Sequence, residues 1–236
     1  MTPTERVICK RPIIFSGAMV RAILAGKKTQ TRRVITPQPR PERWQSIKPG
    51  WYTPTVIVKG EQSPGPERFG FASEEEGWPC PYGAPGDHLY VRETWQTVNS
   101  ECGPGIAYKA DSHFMQPEFD GEDFGAGPSY NYEKYPGDYC MWYTDLCGGA
   151  PASEGYHWRP SIHMPRWASR ITLEILDVRV ERVQDISQAE GMGIFPHSMS
   201  ATKRFRELWD KINSKRGFPW ASNPWVWVIE FRRLAQ

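Results

Sequence analysis

Between Gly26 and Arg33 the chain reads GKKTQTRR, and two of these residues have the types and spacing that acyl-transfer chemistry uses. A lysine just past a helix end and a threonine on the adjoining strand bring an amine near a hydroxyl, the arrangement required if the amine is to take the hydroxyl proton. A lysine acts as a base near neutral pH only when it is at least partly desolvated. Along an extended strand Thr29, Thr31 and Arg33 share one face and Gln30, Arg32 and Val34 share the other. Only Arg33 can therefore face a common pocket with Thr31, which makes it the better anion contact. The same residues also read as a solvated basic turn that binds phosphate or nothing.

The elements that must position this motif lie on either side of it. Residues 12 to 35 read as a strand (Ile13, Ile14, Phe15), a helix and a second strand. The helix carries Met19, Ala22, Ile23 and Leu24, has Ser16 as N-cap and stops at Gly26. PYGAPGDHLYVRETW, 81 to 95, is a turn leading into a strand in which Leu89 and Val91 point one way and His88, Tyr90 and Arg92 the other. From 171 to 183 the pattern Ile171, Leu173, Ile175 gives way to Val178, Val180, a long bent strand or two in succession. A short helix is expected at ISQAEGMG, with Ser187 as N-cap and Glu190 at capping-box spacing. Residues 200 to 214 form the clearest helix, through Phe205, Leu208, Trp209 and Ile212. The last strand runs from Trp225 to Arg233. This order lacks regular βαβ alternation, so an α+β fold is expected: a mixed, mainly antiparallel sheet or small barrel with a few helices.

The chain's 236 residues suffice to bury a core, and its 39% hydrophobic and 24% charged content argues against wholesale disorder. Its apolar runs, such as 225 to 231, are too short to cross a bilayer, and residues 1 to 12 are charged, so no membrane association and a cytoplasmic location are expected. Five cysteines without a CxxC pair fit reduced thiols. Residues 1 to 60 hold 12 Lys/Arg against two Asp/Glu, whereas residues 61 to 147 hold four against 16. Such sorting suggests a basic surface with polyanion partners, although solvated faces explain it equally well. The stretches 36 to 79 and 97 to 160 are rich in Gly, Pro and aromatics with few aliphatics, and read as two insertions in a single domain spanning 1 to 236.

The spacing Gly26-x-Lys28-x-x-Thr31-x-Arg33, the turn Pro85-Gly86-Asp87 leading into LYVRETW, and the terminal strand VIEFRR resemble the ASCH domain of the PUA-like superfamily. The resemblance covers 12 to 35, 80 to 95, 165 to 195 and 220 to 234. It implies a PUA-like β-barrel with flanking helices. The family signature is GxKxxExR; here threonine stands where most members carry glutamate, as in the small bacterial members that hydrolyse N4-acetylcytidine. Their catalytic Lys, Thr and Glu fall on Lys28, Thr31 and, through QAEGM, Glu190; the last is equally readable as a helix-capping residue. WRPSIHMPRWASRITLEILDVRVERVQDIS is similar to phage and prophage ASCH-domain proteins. The resemblance thus implies an amidohydrolase acting on an N4-acylated cytidine, cytosine or related modified nucleoside. A non-catalytic module binding RNA or single-stranded DNA, or a nuclease, stays as the alternative.

Around these residues, Arg33, Arg92, Trp95, His163, Arg166 and Trp167 are candidates for substrate binding. Trp95 and Trp167 offer ring faces for stacking a base. His163 and Arg166 lie in SIHMPRW, a Pro-flanked loop of the kind that closes over a site or merely packs. If a pocket lies on the Arg92 side of its strand, Glu93 is surface or salt-bridge structure, and the reverse holds equally. Cys140 and Cys147 with His157 or His163 lack structural-zinc spacing. No metal and no cofactor are therefore expected.

Overall fold

Four successive residues of the last strand, Val226, Trp227, Val228 and Ile229, are all buried, so this strand has protein on both faces, as a central strand must. The computed structural model describes residues 7–39, 48–72, 76–100, 103–115, 119–120, 129–130, 158–186 and 201–235. In chain order the first elements are β1 (Lys10–Ile14), α1 (Gly17–Leu24), β2 (Gln30–Val34), β3 (Gly50–Tyr52), β4 (Thr55–Val58), β5 (Glu61–Pro64), β6 (Arg68–Ala72), β7 (Gly77–Pro79) and β8 (His88–Arg92). They are followed by β9 (Trp95–Ser100), β10 (Gly103–Tyr108), β11 (His113–Met115), β12 (Phe119–Asp120), β13 (Ser129–Tyr130), β14 (Thr172–Arg182), α2 (Ala201–Asn213) and β15 (Trp225–Arg233). The fold is thus mixed α+β and mostly strand, with two α-helices among the described residues. Neither helix is long and apolar enough to cross a membrane.

The main sheet has the order β1-β8-β14-β15-β2, and no described pairing joins its β1 and β2 edges into a closed barrel. Met1–Arg11, Ala25–Leu89 and Thr172–Gln236 form one compact unit, and Pro12–Leu24 with Tyr90–Ile171 forms a second; β1 and β8 contribute residues to both.

In the first unit β15 pairs antiparallel with β14 and with β2, in a register that sets Ile229 opposite Thr31 and Trp227 opposite Arg33. One face of this strand trio, through Val34, Val226 and Val228, packs on Phe205 and Trp209 of α2 and on Trp220. The helix forms where its spacing predicts, with Phe205 and Trp209 buried and Lys203, Arg206 and Lys211 exposed; of the expected stripe, however, Leu208 is half-buried and Ile212 is 44% exposed, while Asn213 is buried. On the other face Trp227 meets Phe71, with ring centroids 5.2 Å apart, and Phe71 stacks on Trp78 at 5.2 Å. β14 carries a bulge: Ile175 pairs with Phe231 and Asp177 with the adjacent Glu230, which leaves Leu176 as the extra, outward residue. The bend read from the sequence at this point is this bulge.

The stretch 36 to 79, expected as an insertion rich in Gly and Pro, holds regular structure. β3, β6 and β7 form a three-stranded sheet, and β4 and β5 form a hairpin. The hairpin turns through Lys59 and Gly60, both at positive φ (54° and 86°), the left-handed pair that a two-residue turn needs. Glycine at 70 permits the tight pairing of β6 with β7, because a Cβ there would stand 2.1 Å from the Trp78 carbonyl oxygen.

In the second unit β9, β10 and β11 form a sheet, and Trp95, Ile106, Tyr108, Met164 and Ala168 form a buried cluster. Beside it Arg170 makes paired hydrogen bonds to Glu93 (2.9 and 3.0 Å) and to Asp111 (2.9 and 2.7 Å), and its guanidinium lies 4.1 Å from the Tyr108 ring centroid. Glu93, between the two alternatives left open for VRETW, is a buried salt-bridge residue. Burial raises its pKa, and the Arg170 guanidinium acts in the opposite direction. Arg170→Ala is expected to destabilise the protein by about 3 to 5 kcal/mol in urea unfolding, because it strands the Glu93 carboxylate without its cation. Adding Glu93→Gln should recover part of that loss; a cost below about 1 kcal/mol, the level of an exposed pair, would contradict the account.

Candidate active site

Gly26 ends the first helical segment at φ 68°, and residues 27 to 29 then lead into β2, held to the last strand where the Phe231 N–H donates to the Thr29 carbonyl at 2.8 Å. This short turn separates two neighbouring lysines. Lys27 is exposed, whereas Lys28 is only 5% exposed and its Nζ donates to the Gln30 carbonyl oxygen at 2.6 Å. Burial is the main cause that lowers the Lys28 pKa from 10.5 to about 7, and the positive charges of Arg33 and Arg32 lower it further. A large fraction of Lys28 is thus a free amine at neutral pH, which is the property the sequence required of it.

Thr31 is buried as well, at 7% exposure, and shares its strand face with Arg33, as the alternation predicts. Burial lowers the Arg33 pKa, with Tyr82 opposing the shift and Arg216 adding to it. Arg32 turns to the opposite face, where its Nη2 meets Glu181 Oε2 at 3.2 Å. Glu181 is in turn bonded by Arg179 Nε at 2.9 Å, and Arg179 Nη1 also reaches Asp177 (3.0 Å) and Glu230 (2.8 Å). Arg32 therefore belongs to a charged ladder across β2, β14 and β15 and is turned away from Thr31. Glu190 and the helix expected around it lie outside the described residues.

The remaining candidates belong to the second unit. Arg92 donates through Nε to the Met164 carbonyl at 2.8 Å and through Nη2 to the Ile162 carbonyl, so its guanidinium holds the SIHMPRW loop. That loop folds as two three-residue helical turns, Ser161–His163 and Arg166–Ala168, with His163 and Arg166 exposed. Trp95 is fully buried and meets Trp167 edge-on at 6.0 Å, so Trp167, half-buried, is the one of the pair that presents surface.

Sequence reasoning did not find Tyr82 and Arg216. Tyr82 sits inside the PYGAPGD turn, where its neighbours signal backbone geometry and nothing marks its side chain. Arg216 follows α2 and comes near Arg33 only through the tertiary fold. Among the described residues no group of three or more His, Cys, Asp and Glu side chains could hold a metal ion. No family model, no curated protein and no solved structure matches the chain.

The low Lys28 pKa makes stability depend on pH in a defined window. Below about 7 the amine is charged in both folded and unfolded states and the full cost of burying it is present. Between about 7 and 10.5 the unfolded chain binds the extra proton, so folding stability must rise with pH across that interval. Relative to Lys28→Met, the wild type is therefore expected to gain stability from pH 7 to pH 10, measured by denaturant midpoints; a constant difference would mean that Lys28 titrates normally.

Proposed function

We propose that the chain is an amidohydrolase of the PUA-like, ASCH type, its sheet belonging to a barrel of that superfamily, and that it cleaves an N4-acylated cytidine, cytosine or related modified nucleoside. One observation carries the reading: a buried lysine whose pKa is brought to about 7 lies three residues before a buried threonine, across a turn into a strand. Burial, with the charges of Arg33 and Arg32 adding to it, makes the amine give up its proton, and so favours a base over a mere counter-ion.

In the proposed reaction the Thr31 hydroxyl oxygen bonds to the amide carbonyl carbon while its proton passes to Lys28 Nζ. The tetrahedral intermediate then collapses, the C–N bond breaks, and Glu190 gives the departing exocyclic nitrogen a proton. The products of this step are the free base or nucleoside and an acyl ester on Thr31. Water then attacks that ester as Glu190, now a carboxylate, takes its proton; the ester C–O bond breaks, the Lys28 ammonium returns its proton to the Thr31 oxygen, and the carboxylic acid leaves. Arg33, on the same strand face, orients the polar edge of the substrate.

Thr31→Ala and Lys28→Ala are each expected to abolish release of cytidine from N4-acetylcytidine while the far-ultraviolet circular dichroism stays unchanged. Wild-type kcat/KM should rise through pH 7 as Lys28 loses its proton. Glu190→Gln should lose most activity if it carries the proton, whereas a capping residue would cost only about 1 kcal/mol of stability. An inactive wild type on a panel of acylated pyrimidines, or full activity in Thr31→Ala, would retire this mechanism.

The second reading, a module that binds single-stranded RNA or DNA, is favoured by the excess of 12 Lys/Arg over two Asp/Glu in residues 1 to 60. It predicts strand binding that weakens steeply with added salt through counterion release. Binding that ignores salt, or none at low salt, leaves the small-molecule hydrolase.

A further inference from the structure

A cavity in the first unit includes none of Lys28, Thr31 and Arg33 in its lining. Its volume is about 400 Å³, within the range of small-molecule sites, and it lies between the residues entering β1, the sheet β3-β6-β7 and the turn 80 to 87.

One wall is aromatic. Trp51 and Phe69 are paired residues of β3 and β6, so they rise from the same face of that sheet, and their rings meet edge-on at 5.6 Å. Trp51 is nonetheless 47% exposed, which leaves ring surface open beside the cavity. The opposite wall is fixed before any ligand arrives. Buried Asp87 accepts the Ala84 N–H through Oδ2 at 2.9 Å and the Cys9 N–H through Oδ1 at 3.0 Å, tying the chain before β1 to the turn. Gly83 allows this, because a Cβ there would stand 2.5 Å from Asp87 Oδ2, and its φ is 108°. Arg11 donates through Nη1 to the Pro81 carbonyl at 3.1 Å, which anchors one of the five N–H donors of a guanidinium at the cavity edge.

The charges that line the cavity are not equivalent. The lining carries two cations, Arg11 and Arg68, and two carboxylates, Glu67 and Asp87; the Asp87 carboxylate is already engaged by two backbone N–H groups, and the Arg11 guanidinium held at the cavity edge is the donor group placed for an anion. Burial holds the Cys80 thiol protonated, with a pKa pushed up to about 11, so it adds apolar wall and no charge.

We propose that this cavity binds a nucleoside monophosphate unit, its planar base against Trp51 and its phosphate against Arg11. Aromatic stacking tolerates any base, because every base has a π face, while the Arg11 guanidinium, fixed at the cavity edge, donates to the phosphate. The unit can come from a free mononucleotide or from the 5′-phosphorylated end of a strand, and one cavity of this volume holds one such unit in either case.

Cys9 provides the readout, because it is exposed and also lines the cavity. The rate of Cys9 alkylation by iodoacetamide is followed in the full-length protein by peptide mass spectrometry. Cytidine and adenosine 5′-monophosphates are each expected to slow it, about tenfold at a concentration about ten times Kd. Cytidine alone and inorganic phosphate should protect far less. Trp51→Ala, at a half-exposed position that leaves the fold intact, should remove the protection, and Arg11→Gln should remove the difference between nucleotide and nucleoside. Thr31→Ala should leave protection unchanged, which separates this site from the hydrolytic one. A 5′-phosphorylated dinucleotide that protects as well as the mononucleotides assigns the strand end; one that fails to protect assigns the free nucleotide. Equal alkylation with and without nucleotide, protection by phosphate alone, or protection that survives Trp51→Ala would overturn the assignment.

Discussion

The pairing of β2 with β15 decides which arginine accompanies Thr31. With Ile229 opposite Thr31 and Trp227 opposite Arg33, both β2 residues fall on the face away from α2, and Arg32 falls on the face that bears Glu181. A slip of one residue would exchange them and carry Thr31 to the other side of the sheet. The register is held because β15 is buried on both faces, by Phe205, Trp209 and Trp220 on one and by Phe71 on the other. The aromatic packing of a strand remote in sequence thus sets the chemistry of β2.

The protein contains buried cations in two kinds of surroundings. Arg170 and Arg32 are matched by carboxylates, Glu93 and Asp111 for the first and Glu181 for the second. Lys28 is instead acted on by two further positive charges, and its pKa moves down where that of Arg170 moves up. Burial alone cannot explain the contrast, since it lowers the pKa of both groups; the sign of the neighbouring charges does. This difference is what separates the depressed amine of Lys28 from the paired cation of Arg170.

The regular elements were legible wherever a side-chain period ran long enough. The span of α2, the alternation of β8 and the extent of β15 follow from spacing alone, as does the end of α1 near Gly26. The facing of Thr31 and Arg33 was equally legible, because strand alternation fixes it without reference to the partner strand. What did not follow was the order within 36 to 79, where strands of three to five residues bounded by Gly and Pro are too short to show a period. Their stability comes from pairing and from the aromatic contacts of Phe69, Phe71 and Trp78, which connect residues far apart in the chain. For the same reason Tyr82 and Arg216 left no trace in the motif around Arg33. The depressed lysine pKa was legible as a requirement of the chemistry but not as a fact, since it depends on burial that one residue type cannot announce: Lys27 and Lys28 are identical neighbours with opposite exposure.

The bulge at Leu176 lets one continuous strand keep the same face inside while the parity of its buried positions changes. Before it the odd-numbered Leu173 and Ile175 are buried; after it the even-numbered Val178 and Val180 are, and the odd-numbered Asp177, Arg179 and Glu181 carry the charged ladder. Counted in residues, the hydrophobic half and the ionic half of β14 are out of phase by one, and Leu176 supplies the difference. This strand is therefore intolerant of a change in length where the surface loops are not: losing a single residue near position 176 would turn either the aliphatic run or the ion pairs to the wrong side, although every remaining residue type still suits a strand.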